Sequence, residues 1–229
     1  MKTVRRISSI INLIYQNQNN EQLKALVACE SSGVVREALK KKGVDATSCD
    51  LLDTEILGKH YKGDVLDILY DHWDLIIAHP PCTYITNSGV RWLYNEDGSE
   101  NIERWEEMRK AVDFFKLFIN HPCKKILIEN PIPHGHALKL IGKRYSQIIQ
   151  PWQFGHGETK ATCLWLKGLP LLQPTNIVEG REQRIWKLPP GPDRWKERSK
   201  TYQGIADAIA DQFTNPYSCQ LELSLITQK

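Results

Sequence analysis

Long apolar runs are missing from this 229-residue chain. Nothing in it approaches the roughly 18 unbroken apolar residues of a membrane-spanning helix, so a soluble protein with no membrane partner is expected. Paired cysteines are missing too. The six cysteines, Cys29, Cys49, Cys82, Cys123, Cys163 and Cys219, are dispersed, with no CxxC spacing and no Cys/His cluster at zinc spacing. Reduced thiols in a cytoplasm, and no bound metal, are the expectation. No charge sign dominates: Lys plus Arg is 30 and Asp plus Glu is 27, a net +3. Internal repeats and low-complexity tracts are lacking. Hydrophobic residues at 41% and charged residues at 25% exclude a disordered chain. The opening Met1–Arg6 and Ile7–Tyr15 superficially resemble a signal peptide. Ser8, Ser9 and Asn12 interrupt the apolar stretch and no small-residue cleavage site follows, so residues 1–20 are expected to form a short amphipathic appendage.

What is present is strand–helix–strand alternation. Short apolar runs bounded by polar residues predict buried strands at Leu23–Cys29, Val44–Cys49, Asp74–His79 and Lys125–Glu129, with weaker candidates at Ser146–Gln150 and Thr162–Leu166. Ser31-Ser32-Gly33 opens a helix that stops at Gly43. A long helix follows a Ser99 cap, with Ile102, Trp105, Met108, Val112, Phe115 and Ile119 on one face, and His121-Pro122 ends it. Thr201–Phe213 reads as a final helix. This order implies an α/β fold: an open, mostly parallel sheet with helices on both faces. Residues 21–169 and 200–216 are expected to form the catalytic unit, with a reduced basic recognition segment at 170–199.

Ligands of such sheets sit beyond the carboxyl ends of the strands. Glu30, Asp50, Asp64, His79–Cys82 and Glu129-Asn130 all lie there. Two prolines before Cys82 fix the backbone and deny helix to the residues ahead of them, so the thiol projects rigidly. Glu129, at the end of a neighbouring strand, can aim a carboxyl into the same crevice and donate or share a proton. Arg181–Lys200 carries seven basic and three acidic residues together with Trp186 and Trp195. Such a segment can neutralise phosphates and stack on bases, or be a solvated surface loop.

These motifs, in this order, resemble the DNA cytosine-5 methyltransferase family. Pro80-Pro81-Cys82 matches its nucleophile motif, Glu129-Asn130-Pro131 resembles its Glu-Asn-Val motif, and Gly63-Asp64-Val65 resembles its upstream Gly-Asp motif. The likeness covers about residues 23–170 and the last helix, and compact forms of this kind are typical of phages and prophages. It implies a Rossmann-like class I methyltransferase fold and transfer of a methyl group from S-adenosylmethionine to C5 of cytosine, in DNA or a nucleotide. By resemblance, Cys82 adds to C6, Glu129 supports N3 and Asn130 holds the Pro-Pro-Cys loop. A base in a duplex would have to be flipped out. The cofactor would meet Glu30, Ser32, Gly33 and Pro80, with Asp50 on the ribose hydroxyls and Asp64 on the adenine amino group. Lys160, Thr162 and Arg194 are the candidate substrate contacts.

Three departures stand beside the likeness. The glycine-rich turn is reduced to Cys29-Glu30-Ser31-Ser32-Gly33. Glu158–Thr162 replaces a Gln-x-Arg-x-Arg motif, and Thr162 lacks the fork of an arginine. The target-recognition region is nearly gone. Two other readings therefore accompany the main one: a catalytically inactive methyltransferase fold that grips nucleic acid, and a methyltransferase acting on exocyclic amino groups (N4 or N6), to which Tyr84 would belong. His134, His136 and His156 read as mobile loop histidines rather than metal ligands, and Gly204 as a site of close approach to the cofactor turn.

Overall fold

A computed structural model of the chain describes residues 22–192 and 194–214. The expected appendage at 1–20, and Cys219, lie outside the described residues. Seven strands form one sheet: β1 (Lys24–Ala28), β2 (Asp45–Asp50), β3 (His60–Lys62), β4 (Leu75–Ala78), β5 (Lys125–Pro131), β6 (Gln147–Ile149) and β7 (Thr162–Lys167). Their spatial order is β3-β2-β1-β4-β5-β7-β6. The five strands from β3 to β5 run parallel, while β7 is antiparallel to both β5 and β6. This is the open, Rossmann-like α/β arrangement that the alternation implies.

The helices are α1 (Val34–Lys41), α2 (Ile102–Asn120), α3 (Gly135–Ile141), α4 (Arg184–Lys187), α5 (Arg194–Ser199) and α6 (Gln203–Thr214). Side chains alternate across a strand, so the central strands supply two cores. Ala25, Val27, Leu75 and Ile77 meet α1 and α6 through Val35, Leu39, Ile205, Ile209 and Phe213. Leu26, Ala28, Ile76 and Ala78 meet α2 and α3 through Met108, Val112, Phe115, Phe118 and Ala137. Burial on both faces explains why these strands read as unbroken apolar runs.

Local details differ from expectation in three places. Asn101, not Ser99, caps α2, accepting the Arg104 N–H at 3.1 Å. Ser99 lies instead in the preceding turn, where its backbone N–H bonds Asp97. Ile102 is 61% exposed, and the buried stripe of the helix begins at Met108. Strand β3 and helix α3 have no clear periodicity, being three and seven residues long. Gly43 does take the left-handed conformation after α1, with φ of 80°.

Candidate active site

The strand order reverses at β1 and β4, which opens a crevice at their carboxyl ends. Strand β4 ends at Ala78, and His79 is drawn in by its N–H bond to Ala28 O at 2.9 Å. Pro80-Pro81 then carry the chain out of the sheet. The Cys82 carbonyl accepts the N–H groups of Ile85 (3.2 Å) and Thr86 (3.1 Å), closing a turn around the half-buried thiol. Asn130 fastens this loop from the neighbouring strand: its Nδ2 donates to Pro80 O at 3.1 Å. Arg104 fastens the far side, donating to Thr83 O at 3.0 Å and stacking 4.2 Å above the Tyr84 ring. Tyr84 is thus held against an arginine.

Glu129 faces this loop from β5. Its Oε2 lies 2.8 Å from His79 Nδ1, and the two side chains are only 14% and 11% exposed. Burial by itself would lower the His79 basicity. The bond to Glu129, the Glu129 charge and that of Glu30 outweigh it and hold the imidazole above its usual pKa of 6.5. Burial likewise tends to raise the Glu129 carboxyl, but the bond and charge of His79, the Lys160 charge and the Thr162 hydroxyl hold it below 4.5. For Cys82, burial dominates and raises the thiol, the Glu129 carboxylate adds to the rise, and Arg198 and Lys160 oppose it. The charges of these groups act on one another across the end of β5 and the thiol loop.

Lys160 and Thr162 reach it because β7 is antiparallel. Its first residue, Thr162, pairs with Pro131 at the carboxyl end of β5, so the segment entering β7 is delivered beside Glu129. Lys160 is held there by Nζ donating to Lys200 O at 3.1 Å. Arg194 is placed elsewhere. It donates to Trp186 O at 3.3 Å within its own segment, and Arg198 is the arginine whose charge reaches Cys82. His79 and Arg198 gain these roles only through folding; position before Pro-Pro was the one sequence signal for His79.

A separate cleft of about 290 Å³ opens beside the thiol loop, lined by Cys29, Asp50, Leu51, Asp64, Pro81 and Phe114 among others. Asp50 Oδ1 accepts the Leu52 N–H and Asp64 Oδ1 the Leu66 N–H, each at 3.0 Å. The second oxygen of each carboxylate remains to accept from a ligand. Two acceptors over apolar walls can hold a small ligand that carries hydroxyl or amino donors. Cys29 has φ of 59°, the one described non-glycine residue in the left-handed region. Such a residue is held by its surroundings and clusters at functional sites. Partial burial raises its thiol above the usual range, and the negative charges of Asp50 and Asp64 raise it further.

Glu30, Ser32 and Gly33 do not line that cleft. Glu30 Oε1 accepts the Val35 N–H at 2.8 Å and the Ser32 hydroxyl at 3.0 Å, so the chain's own carboxylate occupies the start of α1. Gly33, with φ of 75°, makes the turn. Pro80 is buried, and Pro81 borders the cleft instead. A larger hollow of about 710 Å³ lies at the opposite end of the sheet, around Tyr70, Trp73 and His121, and includes none of these residues.

Hydrogen bonds hold His134 and His156. His134 Nδ1 accepts the Ala137 N–H at 3.1 Å as the cap of α3. His156 Nε2 accepts the Gly204 N–H at 3.1 Å. The close approach at Gly204 is to the Phe154 carbonyl, not to the cofactor turn. Among the described residues, no three His, Cys, Asp or Glu side chains group as metal ligands, and no helix is long and apolar enough to cross a membrane. Compared with known proteins, the chain matches no family model, and no curated protein matches its sequence.

Proposed function

We propose that this chain is a cytosine C5 methyltransferase that uses S-adenosylmethionine and acts on DNA or a cytosine nucleotide. The observation that carries the reading is the pair of contacts that join the end of β5 to the thiol loop: Asn130 Nδ2 to Pro80 O at 3.1 Å and Glu129 Oε2 to His79 Nδ1 at 2.8 Å. Packing has no use for a cysteine behind two prolines whose loop is tied to a mostly buried acid.

The chemistry follows from the residue types. Cytosine C5 is a weak nucleophile until a thiolate adds at C6 and makes it enamine-like. Cys82 supplies that sulfur. Because burial and Glu129 hold its thiol above the usual value, the resting enzyme keeps a thiol, and Arg198 and Lys160 are the cations that favour ionisation. Glu129 supports N3 as charge builds on the ring. Asp50 and Asp64 would hold the ribose and adenine of the cofactor, which when bound supplies an electrophilic methyl carbon. Loss of the C5 proton then lets the C–S bond break and restores the free thiol.

Two measurements test the reading. Calorimetry with S-adenosylhomocysteine should show binding that Asp64→Ala weakens by at least tenfold; equal affinity in the variant removes that assignment. Incubation of DNA or dCMP carrying tritium at C5 should release label to water. Cys82→Ser should abolish release yet leave S-adenosylhomocysteine affinity intact. Undiminished release by Cys82→Ser would falsify covalent catalysis by this sulfur, whereas no release by wild type would leave the amino-group or binding-protein readings.

A further inference from the structure

We infer that His79 is the proton store of this site: a positioning residue that, through Glu129, protonates cytosine N3 while the sulfur attacks C6. The inference rests on the cytosine reading above and adds to it a residue outside the nucleophile and acid motifs.

The argument starts from geometry. His79 is the last residue before Pro80-Pro81, and the proline that follows restricts its backbone. Its Nδ1 sits 2.8 Å from Glu129 Oε2. Its Nε2 is buried and has no partner among the described residues. The carboxylate is therefore the ring's single polar contact. The charged and titratable groups around the ring are Glu129 from β5, Glu30 from the β1 end, Lys160 from the approach to β7, and Cys82 from its own loop. Two acids outweigh one lysine there, so the ring can hold an extra proton next to Glu129, the acid that the cytosine reading sets at N3.

The proton balance then closes. As the S–C6 bond forms, the C5=C6 pair shifts to C4=C5 and the C4=N3 pair moves to N3. N3 takes a proton from Glu129, and Glu129 takes one from His79 Nδ1. His79 is left neutral, with its hydrogen on Nε2. When N3=C4 re-forms, the proton returns along the same contacts. Glu129 alone could not serve, since the same surroundings keep it ionised at rest. A proton donor poised near the working pH is worth roughly 10²–10⁴ in rate.

The test is release of tritium from C5 of labelled DNA or dCMP without cofactor, followed against pH. Wild type should give a bell: a rising limb from Cys82 ionisation and a falling limb from loss of the proton held by His79 and Glu129. His79→Asn, which can still donate to Glu129 but cannot store a proton, should lose the falling limb. Its maximum should drop on the order of 10²–10³-fold with KM changed less than about threefold. His79→Gln should behave alike. A wild-type rate that only rises with pH overturns the inference, whether or not the variants fold. So does a falling limb kept by His79→Asn. A wild type that releases no label from either substrate defeats the proposed function as well, which separates the two failures.

Discussion

His79, Glu129 and Cys82 show how much a residue's chemistry depends on its neighbours. Glu129 at the end of an apolar run is visible in sequence, and so is a cysteine behind two prolines. The partner of Glu129 is not visible, because it lies 50 residues away in the chain. The pair has a consequence for stability. The raised His79 value contributes stability that is full below pH 6.5 and fades as pH climbs through the folded value. The lowered Glu129 value contributes stability that is full above pH 4.5 and fades as pH falls through its folded value. Both contributions are complete only between these limits. Thermal melts of wild type and of the His79→Gln/Glu129→Gln double variant should therefore differ most between pH 4.5 and 6.5. The gap should narrow on either side. A gap that does not change with pH would show the pair uncharged.

At the scale of elements, the antiparallel β7 decides what reaches the site. A parallel strand there would send Lys160 and Thr162 to the wrong end of the sheet. The helix ends are settled by side chains: Glu30 closes the start of α1 and His134 that of α3. Helix α6 begins against the segment before β7, and Gly204 permits it. A Cβ at that position would collide with the Phe154 carbonyl, a backbone atom that cannot swing aside. Alanine normally favours a helix over glycine by about 1 kcal/mol. Here Gly204→Ala should destabilise by about 1–3 kcal/mol, the usual cost of overpacking. Urea unfolding measures it, and a stabilised variant would mean the contact is looser than described.

Across the whole molecule, the basic segment behaves less like a free patch than its charge implies. Trp186 and Trp195 are 73% and 56% exposed and open to a partner. The cations are largely engaged. Arg184 bonds Glu158, Arg181 stacks 3.9 Å from the Trp152 ring, and Lys196 and Lys200 both clasp Glu55 at 3.2 and 3.0 Å. Burial tends to raise the Glu55 carboxyl, but its bonds to Lys200 and Lys196 hold it below the usual range. Glu55 is itself tied to the α1 turn by its N–H to Ser31 O at 2.8 Å. The segment therefore straps the α1 turn to Lys160. Glu55→Gln should speed tryptic cleavage between Arg194 and Lys200 several-fold. Global stability should fall by no more than about 1 kcal/mol, because the clasp is exposed. Unchanged cleavage would place the strap's anchorage elsewhere.

The amino-acid order alone specified the layered α/β sheet, because strands buried on both faces must be apolar throughout and their helices must be amphipathic. It also singled out Cys82, Glu129, Asn130, Asp50 and Asp64 as candidates, since the carboxyl ends of such strands are where open α/β sheets take their ligands. Only the fold could decide the rest. The short β3 and α3 carry too few residues for a period to register. The His79–Glu129 contact, the arrival of Lys160 beside it, the capping use of Glu30 and the clasp on Glu55 all join residues from different strands or loops. Such contacts depend on register and strand direction, which backbone hydrogen bonding between distant segments sets and no local pattern encodes.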